Sequence, residues 1–184
     1  MNLEITLSPL EIEEATHYAR EVATQVAKRA GAQEPAPGAG LDATHLLGFK
    51  GQRAFCSLMG LPWSPQDARG GRSNVGSIYK IKSRLKHGDA FSPDLRVMEF
   101  DADSLVFVHM VTSDGARYRA EGWIKGRDAK RVEWWREGRS QACYCVPARS
   151  LNPMETLPAD PSLKIVRKTV EAEVAPSLEE KKAS

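Results

Sequence analysis

Cysteine is scarce in this chain: Cys56, Cys143 and Cys145 are the only three in 184 residues. Their number is odd and their spacing matches neither a disulfide framework nor a zinc cluster. Secreted disulfide scaffolds and structural zinc modules are thereby disfavoured, and free thiols in a reducing, cytoplasmic setting are expected. Long apolar runs are missing as well. Nothing approaches the roughly 18 residues needed to span a bilayer, and Met1-Asn2-Leu3-Glu4 lacks the basic-then-apolar order of a secretion signal. No membrane partner is expected. Neither sign of charge is in excess, with 26 Lys+Arg against 24 Asp+Glu and a net charge of +2, so only local clustering can point to a charged partner. A G-x-S-x-G elbow, a Walker-type loop and a dinucleotide fingerprint are all absent, which leaves hydrolase, ATPase and dehydrogenase readings without support. There are no internal repeats.

What the chain does contain is enough apolar sequence for one ordinary domain, at 41% hydrophobic and 27% charged residues. Ser8-Pro9-Leu10-Glu11 has the form of a capping box with proline in the first helical position. Ile12, Ala15, Ala19, Val22 and Val26 then mark one apolar stripe, which predicts a helix from Pro9 to about Ala30. Residues 32–41, rich in Pro and Gly, read as an internal linker. Asp42 is placed to cap a second helix from Ala43 to about Met59. Gly48 and Gly51 weaken its propensity and suggest close packing against a sheet. Strands are expected at about Val75–Leu85, Leu95–Phe100, Ser104–Val111, Arg117–Ile124 and Ala142–Val146, with a hairpin turn at Thr112-Ser113-Asp114-Gly115. The expectation is an α+β fold with two N-terminal helices followed by a mixed, largely antiparallel sheet. Residues 1–152 would form the single domain, and 153–184 an extended or disordered tail.

The chemistry-bearing stretch is Asn74-Val75-Gly76-Ser77-Ile78-Tyr79-Lys80-Ile81-Lys82-Ser83-Arg84. Strand alternation puts Lys80, Lys82, Arg84 and Lys86 on one face. One reading is a solvated edge that resists aggregation through its charge. Arg69 and Arg72 before it, and Arg117, Arg119, Lys125, Arg127, Lys130 and Arg131 after it, favour an anion-binding surface instead. Trp63, Trp123, Trp134 and Trp135 are read as core-edge residues in preference to base-stacking platforms.

Three further segments complete a pattern: the helix Gly48-Phe49-Lys50-Gly51-Gln52-Arg53-Ala54-Phe55, the Leu61-Pro62-Trp63 that follows, and the block from Gly122-Trp123-Ile124 to Lys130-Arg131. In this order the chain resembles small phage and bacterial proteins of the PD-(D/E)XK nuclease-like superfamily, over most of Leu3 to Leu157. The resemblance implies a restriction-endonuclease-like core. It also implies motif positions at Gln52 (a glutamate in active members), Asn74 (an aspartate), Lys80 (a carboxylate or glutamine) and Lys82 (the lysine). Only Lys82 keeps the active pattern. An ammonium at Lys80 opposes a hard divalent cation that wants anionic oxygen ligands. The expectation is therefore a catalytically inactive nuclease-fold protein without metal or cofactor. It would bind nucleic acid through Arg72, Lys80, Lys82, Arg84, Lys86, Lys125 and Arg127. Two alternatives stand beside it. One is a magnesium-dependent DNA endonuclease in which Lys82 is served by a relocated carboxylate from Asp67, Asp89, Glu99, Asp101 or Asp103. The other is a phage-derived interaction module whose partner is a host protein.

Overall fold

The Ser8 capping box forms as its composition requires. Glu11 N–H donates to Ser8 Oγ at 3.3 Å while Ser8 N–H donates to Glu11 Oε2 at 2.8 Å, so two orphan amides at the helix start are satisfied reciprocally. In the computed structural model, which describes residues 3–29, 43–64, 74–86, 94–137 and 142–163, this turn opens α1 (Pro9–Arg29). The second helix, α2, spans Ala43–Met59. Glu11 also ties the two together: Ser57 Oγ donates to its Oε1 at 2.6 Å and Arg53 Nη2 lies 3.3 Å away.

A four-stranded sheet runs in the order β1 (Glu4–Thr6), β5 (Arg117–Lys125), β4 (Val106–Thr112), β2 (Tyr79–Leu85). Only the β2–β4 pairing is parallel within it. A second, antiparallel sheet has the order β3 (Leu95–Met98), β7 (Cys143–Val146), β6 (Trp135–Arg136). A one-turn helix, α3 (Gly126–Ala129), follows β5 directly. The protein is therefore a mixed α+β fold with mixed pairing, and it departs from the expected order in three ways. A strand precedes the helices, because Glu-Ile-Thr is too short to show a period. A third helix follows β5. And β3 pairs with β7 instead of its neighbour in sequence, which splits the expected sheet in two.

Alternation along β2 divides the two cores. Tyr79 and Ile81 join Phe55, Ala54, Val106, Val108, Met110 and Tyr118 under α2. On the other face Phe107 and Ile124 pack with Leu95, Val97 and Val146 of the second sheet. A β-bulge makes this division consistent along β5: His109 is opposite Gly122 and Met110 opposite Ala120, leaving Glu121 as the extra residue. Before the bulge Tyr118 and Ala120 face α2; after it Trp123 does so while Ile124 turns to the second core. Gly51 is where helix and sheet touch most closely, since a Cβ there would lie 1.6 Å from Ser83 Oγ. Gly48 has nothing within 4 Å of that position, so close packing accounts for Gly51 alone.

Residues 153–163, which the sequence reading placed in the tail, make contacts with the domain. Met154 is buried in the first core, and Trp123 Nε1–H donates to Pro153 O at 3.0 Å. Asp160 accepts from the Ser77 and Ile78 amides at 2.7 and 3.0 Å. Polar composition hid this segment because its anchors are single residues. The linker 32–41 and residues 164–184 lie outside the described residues.

Candidate anion-binding surface

The turn that leads into β2 is fixed from two sides. Asn74 brackets Ile81: Ile81 N–H donates to its Oδ1 at 2.7 Å, and its Nδ2–H donates to Ile81 O at 3.2 Å. Asp160 holds the next residues, and against the upward push of burial its hydrogen bonds from Ser162 and Ser77 bring its carboxyl down to about 2. Asn74, the expected aspartate position, thus spends its amide on the backbone of its own hairpin-like turn. Gln52 is buried in α2, which covers the Tyr79–Ile81–Ser83 face, and its Oε1 has no hydrogen-bond partner among the described residues. Lys80 and Lys82 project from the opposite face.

Those two lysines meet a carboxylate. Lys80 Nζ donates to Asp101 Oδ1 at 2.9 Å, and Lys82 Nζ lies 3.8 Å from Oδ2. Asp101, one of the five carboxylates considered for relocation, is 4% exposed and comes from the turn between β3 and β4. Its Oδ2 also accepts the Met98 amide at 3.0 Å. Burial raises its carboxyl, but the Met98 and Lys80 hydrogen bonds and the Lys82 charge outweigh that and hold it below the usual range. Burial likewise pushes the Lys82 ammonium below its ordinary value; Asp101 resists, while Lys80 and Arg84 add to the push. The Lys82 ammonium also sits 5.9 Å from the Phe107 ring centre.

A hard divalent cation does not suit this donor set. Among the described residues Asp101 is the one carboxylate at the lysine pair, and both of its oxygens are engaged; Asn74 Oδ1 is taken by Ile81, and Gln52 belongs to the other face. Of the remaining relocation candidates, Asp103 pairs with Lys130 at 2.7 Å and Glu99 is exposed, while Asp67 and Asp89 lie outside the described residues. Among the described residues no three His, Cys, Asp or Glu side chains converge as metal ligands.

Further along β2 the positive charge is less compensated. Arg84 is half-buried, and burial together with the neighbouring Arg96 guanidinium of β3 lowers its basicity. No carboxylate lies within 4 Å of either guanidinium among the described residues. Lys86 lines a shallow cleft of about 220 Å³ with Glu4, Val111, Ser113, Arg117 and Arg119. Arg119 is paired with Glu121, the bulge residue. Beneath this region His109 is fully buried, with neither ring nitrogen bonded to a described residue.

The structure thus gathers Lys80, Lys82 and Arg84 along β2, with Lys86 as the residue after its end. Lys125 leaves β5 on the Trp123 side by alternation, and Arg127 is exposed on α3 beside Asp128 at 3.7 Å. Lys125 therefore does not share the β2 face, and Arg72 lies outside the described residues. Arg96 was not legible as part of the surface, because a single exposed arginine on a four-residue strand carries no pattern. His109 had a signal, a lone polar residue inside Val-Phe-Val-His-Met-Val. Compared with known proteins, the chain matches no family model, no curated protein and no solved structure.

Proposed function

We propose that this chain is a nucleic-acid-binding protein without nuclease chemistry, of the restriction-endonuclease-like kind its sequence resembles. Phosphates are contacted by Lys82 and Arg84 of β2, by Lys86 just beyond its end, and by Arg96 of β3. The observation that carries this reading is the Arg84–Arg96 juxtaposition. Arg84 is half-buried, burial and the neighbouring Arg96 charge lower its basicity, and neither guanidinium has a carboxylate partner among the described residues. Such an arrangement costs self-repulsion and desolvation in the free protein, and a phosphate between the two planes would offset both through charge-assisted, bidentate hydrogen bonds. The engaged Asp101 carboxylate argues against a metal-assisted alternative at the same lysines.

Fluorescence anisotropy with labelled single- and double-stranded DNA and RNA tests the proposal. Binding should weaken steeply with salt, with a log–log slope of about −3 to −4 for four phosphate contacts. It should be indifferent to chelator. Arg84→Ala and Arg96→Ala should each weaken binding about 10-fold and reduce the slope by about one. No measurable binding at low salt, or an affinity that ignores salt, refutes it. Cleavage of any of these substrates with magnesium or manganese that Lys82→Ala abolishes would restore the endonuclease reading.

A further inference from the structure

We infer that Phe100 is a base-stacking platform and that the nucleic acid taken by this surface is single-stranded, an inference that rests on the binding function proposed above. Among the described residues Phe100 is the one Phe, Tyr or Trp side chain that stands mostly in solvent, at 74% exposure. The tryptophans are engaged elsewhere. Trp63 packs on Tyr18, Trp135 on Tyr144, the Arg131 guanidinium lies 4.8 Å from the Trp134 ring centre, and Trp123 is buried. A single exposed apolar side chain is ordinary in itself. Phe100 is set apart by where the chain holds it.

It lies at the tip of the turn that leaves β3, and that turn is tied twice. Asp101 N–H donates to Met98 O at 3.1 Å and Met98 N–H donates to Asp101 Oδ2 at 3.0 Å, so Glu99 and Phe100 are the two central residues of a closed turn. The same Asp101 accepts from Lys80 Nζ at 2.9 Å and stands 3.8 Å from Lys82 Nζ. Adjacent Cα atoms are about 3.8 Å apart, so one residue step and one side-chain contact link Phe100 to the ammonium at which the phosphate track begins. The backbone that displays the ring is fixed before a ligand arrives, which lowers the ordering cost of a contact there.

A base stacks on a ring only through its face. Inside a duplex both faces of a base are covered by its neighbours, whereas a single strand can turn one outward, and such stacks tolerate any base because each has a π-face. A strand with one phosphate on Lys82 and the next ones towards Arg84 and Arg96 has an adjacent base to lay on Phe100. Glu99 favours the same orientation: it is exposed at the same tip, and its charge repels a phosphate, so the tip receives the uncharged base and the cations keep the backbone. The cations supply affinity and the ring supplies strand selectivity.

The experiment uses the full chain and labelled oligonucleotides of one sequence, as single strands and as duplexes, in DNA and in RNA, with 2-aminopurine in a second single-stranded set. Single strands should bind about 10-fold more tightly than duplexes, and binding should change the 2-aminopurine emission. Phe100→Ala should weaken single-strand binding by about 10-fold and abolish the emission change, while leaving the duplex affinity and the salt slope as they are. Phe100→Tyr should keep all four. DNA and RNA strands should both respond, since the base and not the sugar is stacked. Single-strand affinity unchanged in Phe100→Ala, a duplex bound as tightly as its single strand, or a loss in Phe100→Ala accompanied by a shallower salt slope would overturn the assignment. Binding that falls with Arg84→Ala but not with Phe100→Ala would remove this inference and leave the nucleic-acid function standing, whereas no binding by the natural chain would remove both.

Discussion

Acidification from pH 7.5 to 5 should weaken the fold chiefly through His109. Its imidazole is fully buried, and burial lowers it from 6.5 to about 4, with Glu121 pulling the other way and Arg84 adding to the decrease. The folded state therefore binds its proton less readily than the unfolded chain. Stability is complete above about 6.5 and is lost as the pH falls towards 4. With these two values linkage gives a loss of about 2 kcal/mol at pH 5, and about 3 kcal/mol once both states are protonated. The measurement is a series of urea melts from pH 7.5 to 5 on the natural chain and on His109→Leu, a change of similar bulk that also removes two unpartnered buried nitrogens. The variant should lose at least 1.5 kcal/mol less over this range, an amount of the order that linkage assigns to a single histidine. Equal losses in the two proteins would refute the assignment, since every other titrating group is common to both.

A second acid window belongs to Asp160, whose folded value of about 2 lies below the unfolded one. Its contribution, about 2 kcal/mol, is present above pH 4 and disappears as the pH falls through 2; Asp160→Ala should remove it at neutral pH and flatten urea melts in that window. Gly51→Ala drives a Cβ into Ser83 and should cost about 2–3 kcal/mol by thermal melts. Gly48→Ala, with open space around it, should instead stabilise by about 1 kcal/mol; equal effects of the two would contradict the packing. Asp101→Asn leaves Lys80 without its carboxylate and should cost about 2–3 kcal/mol, below the fully buried limit because both lysines reach solvent. Adding Lys80→Met should recover at least half of that, and strict additivity would count against the ion pair.

Both helices and most strands were legible because each rule for them is local. The Ser8–Glu11 reciprocity, the apolar stripe of α1 and the Asp114-Gly115 turn need only a few neighbouring residues. In that turn Asp114 Oδ1 accepts two amides at 2.8 Å and Gly115 adopts a φ of 73°. What was not legible depends on pairing at long separation. The bulge at Glu121 has no sequence signal of its own, yet it decides that Trp123 and Ile124 face different cores. The docking of Asp160 onto Ser77 joins residues 83 apart. The site was legible as a basic strand. Asp101 was one of five carboxylates that could serve Lys82, and only the way the β3–β4 turn folds over β2 brings it to Lys80 and Lys82.

That contact also separates two lysines the sequence treats alike. Lys80 makes the short hydrogen bond to Asp101, and the other carboxylate oxygen is tied to the Met98 amide, so moving Lys80 would strand a buried anion. Lys82 stands at 3.8 Å, beyond good hydrogen-bond reach, next to the cations Lys80 and Arg84 and with its ammonium disfavoured by burial. An arriving phosphate would need to break only this long contact to gain a full ammonium, and it would relieve the repulsion from Arg84 at the same time. One carboxylate cannot neutralise both lysines, so a net positive charge remains and lies on the Arg84 side. Lys80 thus belongs to the fold, and the phosphate-binding role proposed for this strand would begin at Lys82.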